Sequence, residues 1–267
     1  MYKRVCAVYF SPTGTTKKVV NTISKVLGDK TSLPVEIFDF TLPKGREKRL
    51  IFNKEDVVVI GTPVYAGRVP NVLLKFLDTI VGNGATAVPV VVFGNRNYDE
   101  SLFELCEICV KSGMKTVGAG AFVGEHAFSY ILGEGRPNED DLNIAKEFAS
   151  KVYDKMGSDF DNIVVDGGEV TSYYRPKYEN GKFIDIRKVK PKVNCNCDDC
   201  KKCVYVCPMG SIDYENVSNY NNICIKCGAC IKKCPKQARY YDDKGYIYHK
   251  EDLEKSFKRP AEITFFV

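Results

Sequence analysis

Through the first 158 residues, short apolar runs alternate with longer amphipathic stretches. Residues 5–10 read as a strand and residues 11–16 as a hydroxyl-rich turn. Val19, Val20, Ile23, Val26 and Leu27 then recur at helical spacing. The alternation continues, predicting strands over 35–40, 56–60, 87–93 and 116–122 and helices near 70–80, 98–110 and 140–156. Unbroken apolar runs at 57–60 and 88–92 suit strands covered on both faces. Strands alternating with helices in this way predict an α/β fold, a doubly wound five-stranded parallel sheet.

Such a sheet binds ligands in a crevice at the carboxyl ends of its strands. Three of those ends carry unusual loops. After the first strand, Ser11, Thr13, Gly14, Thr15 and Thr16 gather hydroxyls and a helix N-terminus around one point, which suits a phosphate dianion. After the third come Thr62, Pro63, Val64, Tyr65, Ala66 and Gly67, and after the fourth Gly94, Asn95, Arg96, Tyr98 and Asp99. One phosphate pocket and two aromatic-bearing loops describe a flat ring on a monophosphate tail. A Walker loop is absent, because residues 28–31 read Gly-Asp-Lys-Thr, and the glycines of 118–124 are wrongly spaced for a dinucleotide fingerprint.

The three loops resemble those of the flavodoxin-like family over residues 1 to about 158, and the resemblance implies bound FMN. Residues 11–16 would hold the phosphate, and residues 62–67 and 95–99 would flank the isoalloxazine. The first loop opens Ser-Pro-Thr where many flavodoxins have Thr-x-Thr, so the resemblance bears on Thr13 to Thr16 more than on Ser11. His126, one of two histidines, lies in the long connection 123–139 and is the candidate acid toward the ring or a substrate. Cys106 and Cys109 form a CxxC, yet with Leu102 and Leu105 they complete a helical apolar stripe, and core packing is expected for them and for Cys6.

The chain has 267 residues, 44% of them hydrophobic, enough for one sizeable core and a second small one. No apolar run approaches the ~20 residues that span a bilayer, and Met1 leads into a strand, so a cytoplasmic chain without a membrane segment is expected. Net charge is +5, with 20 basic and 18 acidic residues up to 158 and 19 and 16 beyond, too even to argue for nucleic acid. Twelve cysteines in such a compartment point to metal or redox chemistry before disulfides.

Nine of the twelve lie between Cys195 and Cys234. Cys197, Cys200, Cys203 and Cys207 before Pro208 read C-x2-C-x2-C-x3-C-P, and Cys224, Cys227, Cys230 and Cys234 before Pro235 repeat it 27 residues later. In this spacing three thiolates aim at one cluster while the fourth ligates the other. Structural zinc is the rival for paired CxxC units, and a plant-type 2Fe-2S register through Cys195, Cys200 and Cys203 would break the repeat. The motif resembles two-cluster bacterial ferredoxins, implying a small α+β domain with two 4Fe-4S clusters. One would be held by Cys197, Cys200, Cys203 and Cys234, the other by Cys224, Cys227, Cys230 and Cys207, with Cys195 spare.

The expected organisation is a flavodoxin-like domain over 1–158, a structured connector over 159–192 with a hairpin at Asn180-Gly181, a ferredoxin domain over 193–250 and a tail over 251–267. Lys188, Lys190, Lys192, Lys201, Lys202, Lys232, Lys233 and Lys236 surround the cysteines, suiting an acidic ferredoxin or flavodoxin as redox partner. The expected function is electron transfer between the clusters and FMN. The alternatives are reduction of a small molecule beneath the His126 loop and redox sensing.

Overall fold

Strand β1 (Arg4–Tyr9) is buried from Val5 onward, and the hydroxyl-rich turn after it leads into helix α1 (Thr15–Thr31). The computed structural model describes all 267 residues. The first unit continues with β2 (Val35–Asp39), β3 (Asp56–Pro63), α2 (Asn71–Leu77), β4 (Thr86–Phe93), α3 (Ser101–Lys111), β5 (Lys115–Thr116), β6 (Ala119–Val123) and α4 (Glu139–Met156). Strand order is β2-β1-β3-β4-β6, all parallel, with β5 also on β4. This is the doubly wound parallel sheet that the apolar runs predict.

Strand alternation divides the core. Cys6, Val8, Val58, Ile60 and Val91 face α2 and α3 with Leu73, Leu105, Cys106 and Cys109, so all three N-terminal cysteines are packing residues. Val5, Ala7, Val57, Val59 and Val90 face α1 and α4 with Val20, Ile23, Phe148 and Val152. Helix α4 starts on a capping box in which the Asn138 side chain accepts from Asp141 N–H and the Asp141 carboxylate accepts from Asn138 N–H.

Residues 116–122 are two strands, because later chain covers that edge. Asn162 Oδ1 and Ile163 N–H bond the backbone of Thr116. The connector then runs along the sheet to a tight turn at 178–181, where Gly181 N–H donates to Tyr178 C=O and Tyr178 N–H to Lys182 C=O.

The cysteine unit opens with β7 (Lys192–Val193), which pairs antiparallel with β8 (Arg239–Tyr240). Between them lie one-turn helices α5 (Lys202–Tyr205) and α6 (Ala229–Lys232), one in each cysteine repeat. The end of the chain differs from the expected tail. Helix α7 (Lys244–Ser256) crosses the boundary expected at 250, held by the Asp243 cap and buried Tyr246, His249 and Leu253. Strand β9 (Thr264–Phe266) then adds antiparallel to β6, with Phe265 against Phe148. The last residues thus cap the open edge of the first sheet and tie the cysteine unit to it.

Candidate functional site

The crevice at the carboxyl ends of β1, β3 and β4 is built around Thr16. Its hydroxyl is buried without a hydrogen-bond partner, as is that of Thr62 on β3. The N–H groups of Thr13, Gly14, Thr15 and Thr16 find no acceptor in the chain. Ser11 is spent differently: its hydroxyl accepts from Lys17 N–H at 2.9 Å and its own N–H donates to Thr41 at 2.8 Å. Gly61 lets α1 approach, since a Cβ there would meet Val20 Cγ2 at 2.3 Å.

In the second loop, mutual backbone bonds between Tyr65 and Arg68 close a turn with Ala66 and Gly67 at positive φ. A Cβ on Gly67 would meet the Asp99 carboxylate at 2.3 Å. Asp99 pairs with Arg96, and Arg96 stacks on connector residue Tyr174 at 4.4 Å. The Asn95 amide donates to the carbonyls of Phe257 and Arg259 and accepts from Ala261 N–H at 2.9 Å. The side chains of Asn95, Arg96 and Asp99 therefore hold neighbouring chain in place, whereas Pro63, Val64, Tyr65, Gly94 and Tyr98 line the approach only half-buried.

Eight cysteines gather into two cavities. One is lined by Cys207, Cys224, Cys227 and Cys230, the other by Cys197, Cys200, Cys203 and Cys234. Each takes its fourth cysteine from the opposite repeat. Within each set no three side chains converge closely enough to hold a single metal ion. The 27-residue repeat extends to the backbone. Asp199 and Lys201 have positive φ, as do Lys226 and Gly228, and Ser211 and Ala238 N–H each donate to a cysteine Sγ at 3.3 Å. Burial pushes the Cys230 thiol up to about 12 and raises that of Cys227 as well. Cys195 is exposed and lines neither cavity.

The cavity of Cys207, Cys224, Cys227 and Cys230 lies beside the crevice. Gly228 sits on the loop after β6, where a Cβ would meet Ala127 O at 2.6 Å. From α6, Lys232 pairs with Glu125 and donates to the carbonyls of His126 at 2.6 Å and Ser129 at 2.8 Å. Arg46 reaches from the first unit to Pro208 O at 2.5 Å. Burial, then Cys227 and Cys224, hold the Tyr65 hydroxyl far above its ordinary pKa.

Residues 6–94 match the flavodoxin domain model and residues 196–247 the 4Fe-4S dicluster domain model. The chain is a flavodoxin-like domain fused to a 4Fe-4S dicluster domain. An uncharacterized protein of Methanocaldococcus jannaschii is 26% identical over 139 residues, 49% of this chain and 87% of that one. Pyruvate synthase subunit PorD of Methanothermobacter marburgensis is 43% identical over 42 residues, 16% of this chain and about half (51%) of that subunit. Among solved structures, an archaeal flavodoxin aligns at 17% identity over 58% of this chain and 99% of its own, with a TM-score of 0.42. A flavodoxin of Streptococcus pneumoniae aligns at 20% identity over 57% and 99%, with a TM-score of 0.41.

The fusion implies FMN and 4Fe-4S cofactors, and the residues present fit both. The unpartnered hydroxyl of Thr16 beside free helix N–H groups suits a phosphate-bearing ligand, and the cysteine-lined cavities suit clusters. His126 is committed locally: its Nδ1 accepts from Phe128 N–H at 3.1 Å, and the ring lies against Gly94. Burial and then Lys232 lower its pKa to about 3, so the imidazole is neutral at pH 7. Replacing Thr15 and Thr16 together by valine should weaken FMN retention at least tenfold while leaving iron unchanged, since each lost hydrogen bond to a charged group is worth about 1.5–3 kcal/mol. Flavin absorbance and iron of the purified variant check this; a full flavin complement would contradict it.

Proposed function

We propose that this flavo-iron-sulfur protein transfers electrons between two 4Fe-4S clusters and an FMN held in the β1–β3–β4 crevice. Thr13 to Thr16 and Thr62 would hold the FMN. Cys207, Cys224, Cys227 and Cys230 would hold the near cluster, and Cys197, Cys200, Cys203 and Cys234 the far one. Clusters carry single electrons and a flavin holds one or two, so the pairing lets single electrons accumulate. The observation that carries this reading is the seating of residues 228–232 on the loop after β6 through Gly228 and Lys232.

Cys197 and Cys200 of the far cavity are exposed, which makes that side the natural contact for a separate redox protein. Lys192, Lys201, Lys232 and Lys236 are already paired with carboxylates, leaving Lys188, Lys190, Lys202 and Lys233 to attract an acidic partner. Rapid-mixing reduction at two protein concentrations and two ionic strengths tests both halves of the reading. Flavin reduction by the clusters should be independent of protein concentration and of salt, while exchange with an acidic carrier should slow as salt rises. Flavin reduction that scales with concentration would mean two independent carriers on one chain.

A further inference from the structure

The two cysteine repeats share their cysteines and prolines, and one position that is buried in both differs in charge. Ile212 lines the cavity of Cys207, Cys224, Cys227 and Cys230, and 27 residues later Arg239 lines the cavity of Cys197, Cys200, Cys203 and Cys234. Both side chains are 4% exposed. Arg239 Nη1 donates to Val217 O at 3.0 Å and to Cys203 Sγ at 3.3 Å. Its Nη2 donates to Tyr220 Oη, whose own O–H donates to Pro191 O at 2.6 Å. Its Nε is buried with no partner, and no carboxylate pairs with the guanidinium. A permanent cation so buried is costly unless an anion lies beside it, and the cavity that its side chain lines is where one fits.

A 4Fe-4S cluster in four thiolates is such an anion, and accepting one electron makes it one unit more negative. We propose that Arg239 sets the two clusters apart, raising the reduction potential of the one held by Cys197, Cys200, Cys203 and Cys234 through its charge and its N–H groups. The inference rests on the two-cluster reading above. It makes Arg239 a positioning and tuning residue, with net charge and hydrogen bonds to sulfur as its levers. The reaction it biases is a one-electron reduction by an external reductant, with no proton required.

Potentiometric titration of the full chain with dithionite, followed by electron paramagnetic resonance, tests the inference. Iron and sulfide are measured first. Wild-type protein holding fewer than two clusters would refute the two-cluster reading itself, separately from the role of Arg239. With both clusters present, Arg239→Ile should lower one midpoint more than the other. The reduced-to-oxidised ratio of that cluster at the wild-type midpoint should fall about tenfold, or ~59 mV for one electron. Arg239→Lys, which keeps the charge, should lie between. Unchanged midpoints in Arg239→Ile, or a lysine variant no different from isoleucine, would overturn the proposal. If Arg239→Ile loses iron, Arg239→Gln replaces it: a lowered midpoint in glutamine with lysine near wild type supports the proposal. Loss of iron from all three variants, or glutamine and lysine both at the wild-type midpoint, would show a purely architectural residue.

Discussion

Replacing Cys227 by alanine should lower iron from about eight per chain toward about four, or convert one cluster, while FMN stays bound and the other cluster still reduces. Cys207→Ala should give the same species although Cys207 belongs to the other repeat, because both sulfurs line the cavity beside the crevice. Flavin reduction by the remaining cluster should then slow by orders of magnitude, since the route through the near cavity is gone. Cys195→Ala, outside both cavities, should keep full iron and full rate. Iron and sulfide analysis with stopped-flow absorbance reads all three. A Cys207 variant that instead matches Cys234→Ala would overturn the crossed ligand sets.

The crossed lining of the two cavities is legible in the sequence because it is a matter of spacing. Two repeats of C-x2-C-x2-C-x3-C-P carry their geometry locally, in short turns whose positive-φ residues recur at 199 and 226 and at 201 and 228. The sheet was legible for a related reason: a strand buried on both faces must be apolar at consecutive positions, as residues 57–60 and 88–92 are. The turn at Gly181 likewise lies within six residues.

What stayed hidden depends on partners far away in the chain. Thr264 to Phe266 are three residues of a polar-flanked end, and only the bare edge at Ala119 to Ala121 makes them a strand. Asn95 looked like a ring contact because it follows β4, yet its amide matches carbonyl and N–H groups some 160 positions later. Arg239 sits in a stretch where nothing local distinguishes a solvated arginine from a buried one. Only the 27-residue comparison with Ile212 offered a signal. Lys232 reads as one more of the lysines around the cysteines, because its acceptors are a carboxylate and two carbonyls of the distant loop after β6.

Lys232→Met should show what that lysine does. Its side chain is 12% exposed and that of Glu125 27%, so the substitution strands a largely buried carboxylate and two carbonyls. Breaking such an arrangement costs about 3 kcal/mol, which makes opening of the α6 contact on the order of a hundredfold more frequent. The N–H groups of His126 and Ser129, bonded within the clamped loop to Leu132 and His126 carbonyls, should lose hydrogen-exchange protection to match, while those of β1 and β3 should not. Iron and FMN content should hold, because Lys232 lines neither cysteine cavity and lies outside the hydroxyl loop. Under those conditions slower flavin reduction would be traced to loss of seating between the domains rather than loss of a cofactor. Unchanged exchange at His126 and Ser129 would show that Gly228, β9 and the connector hold the domains together without the lysine.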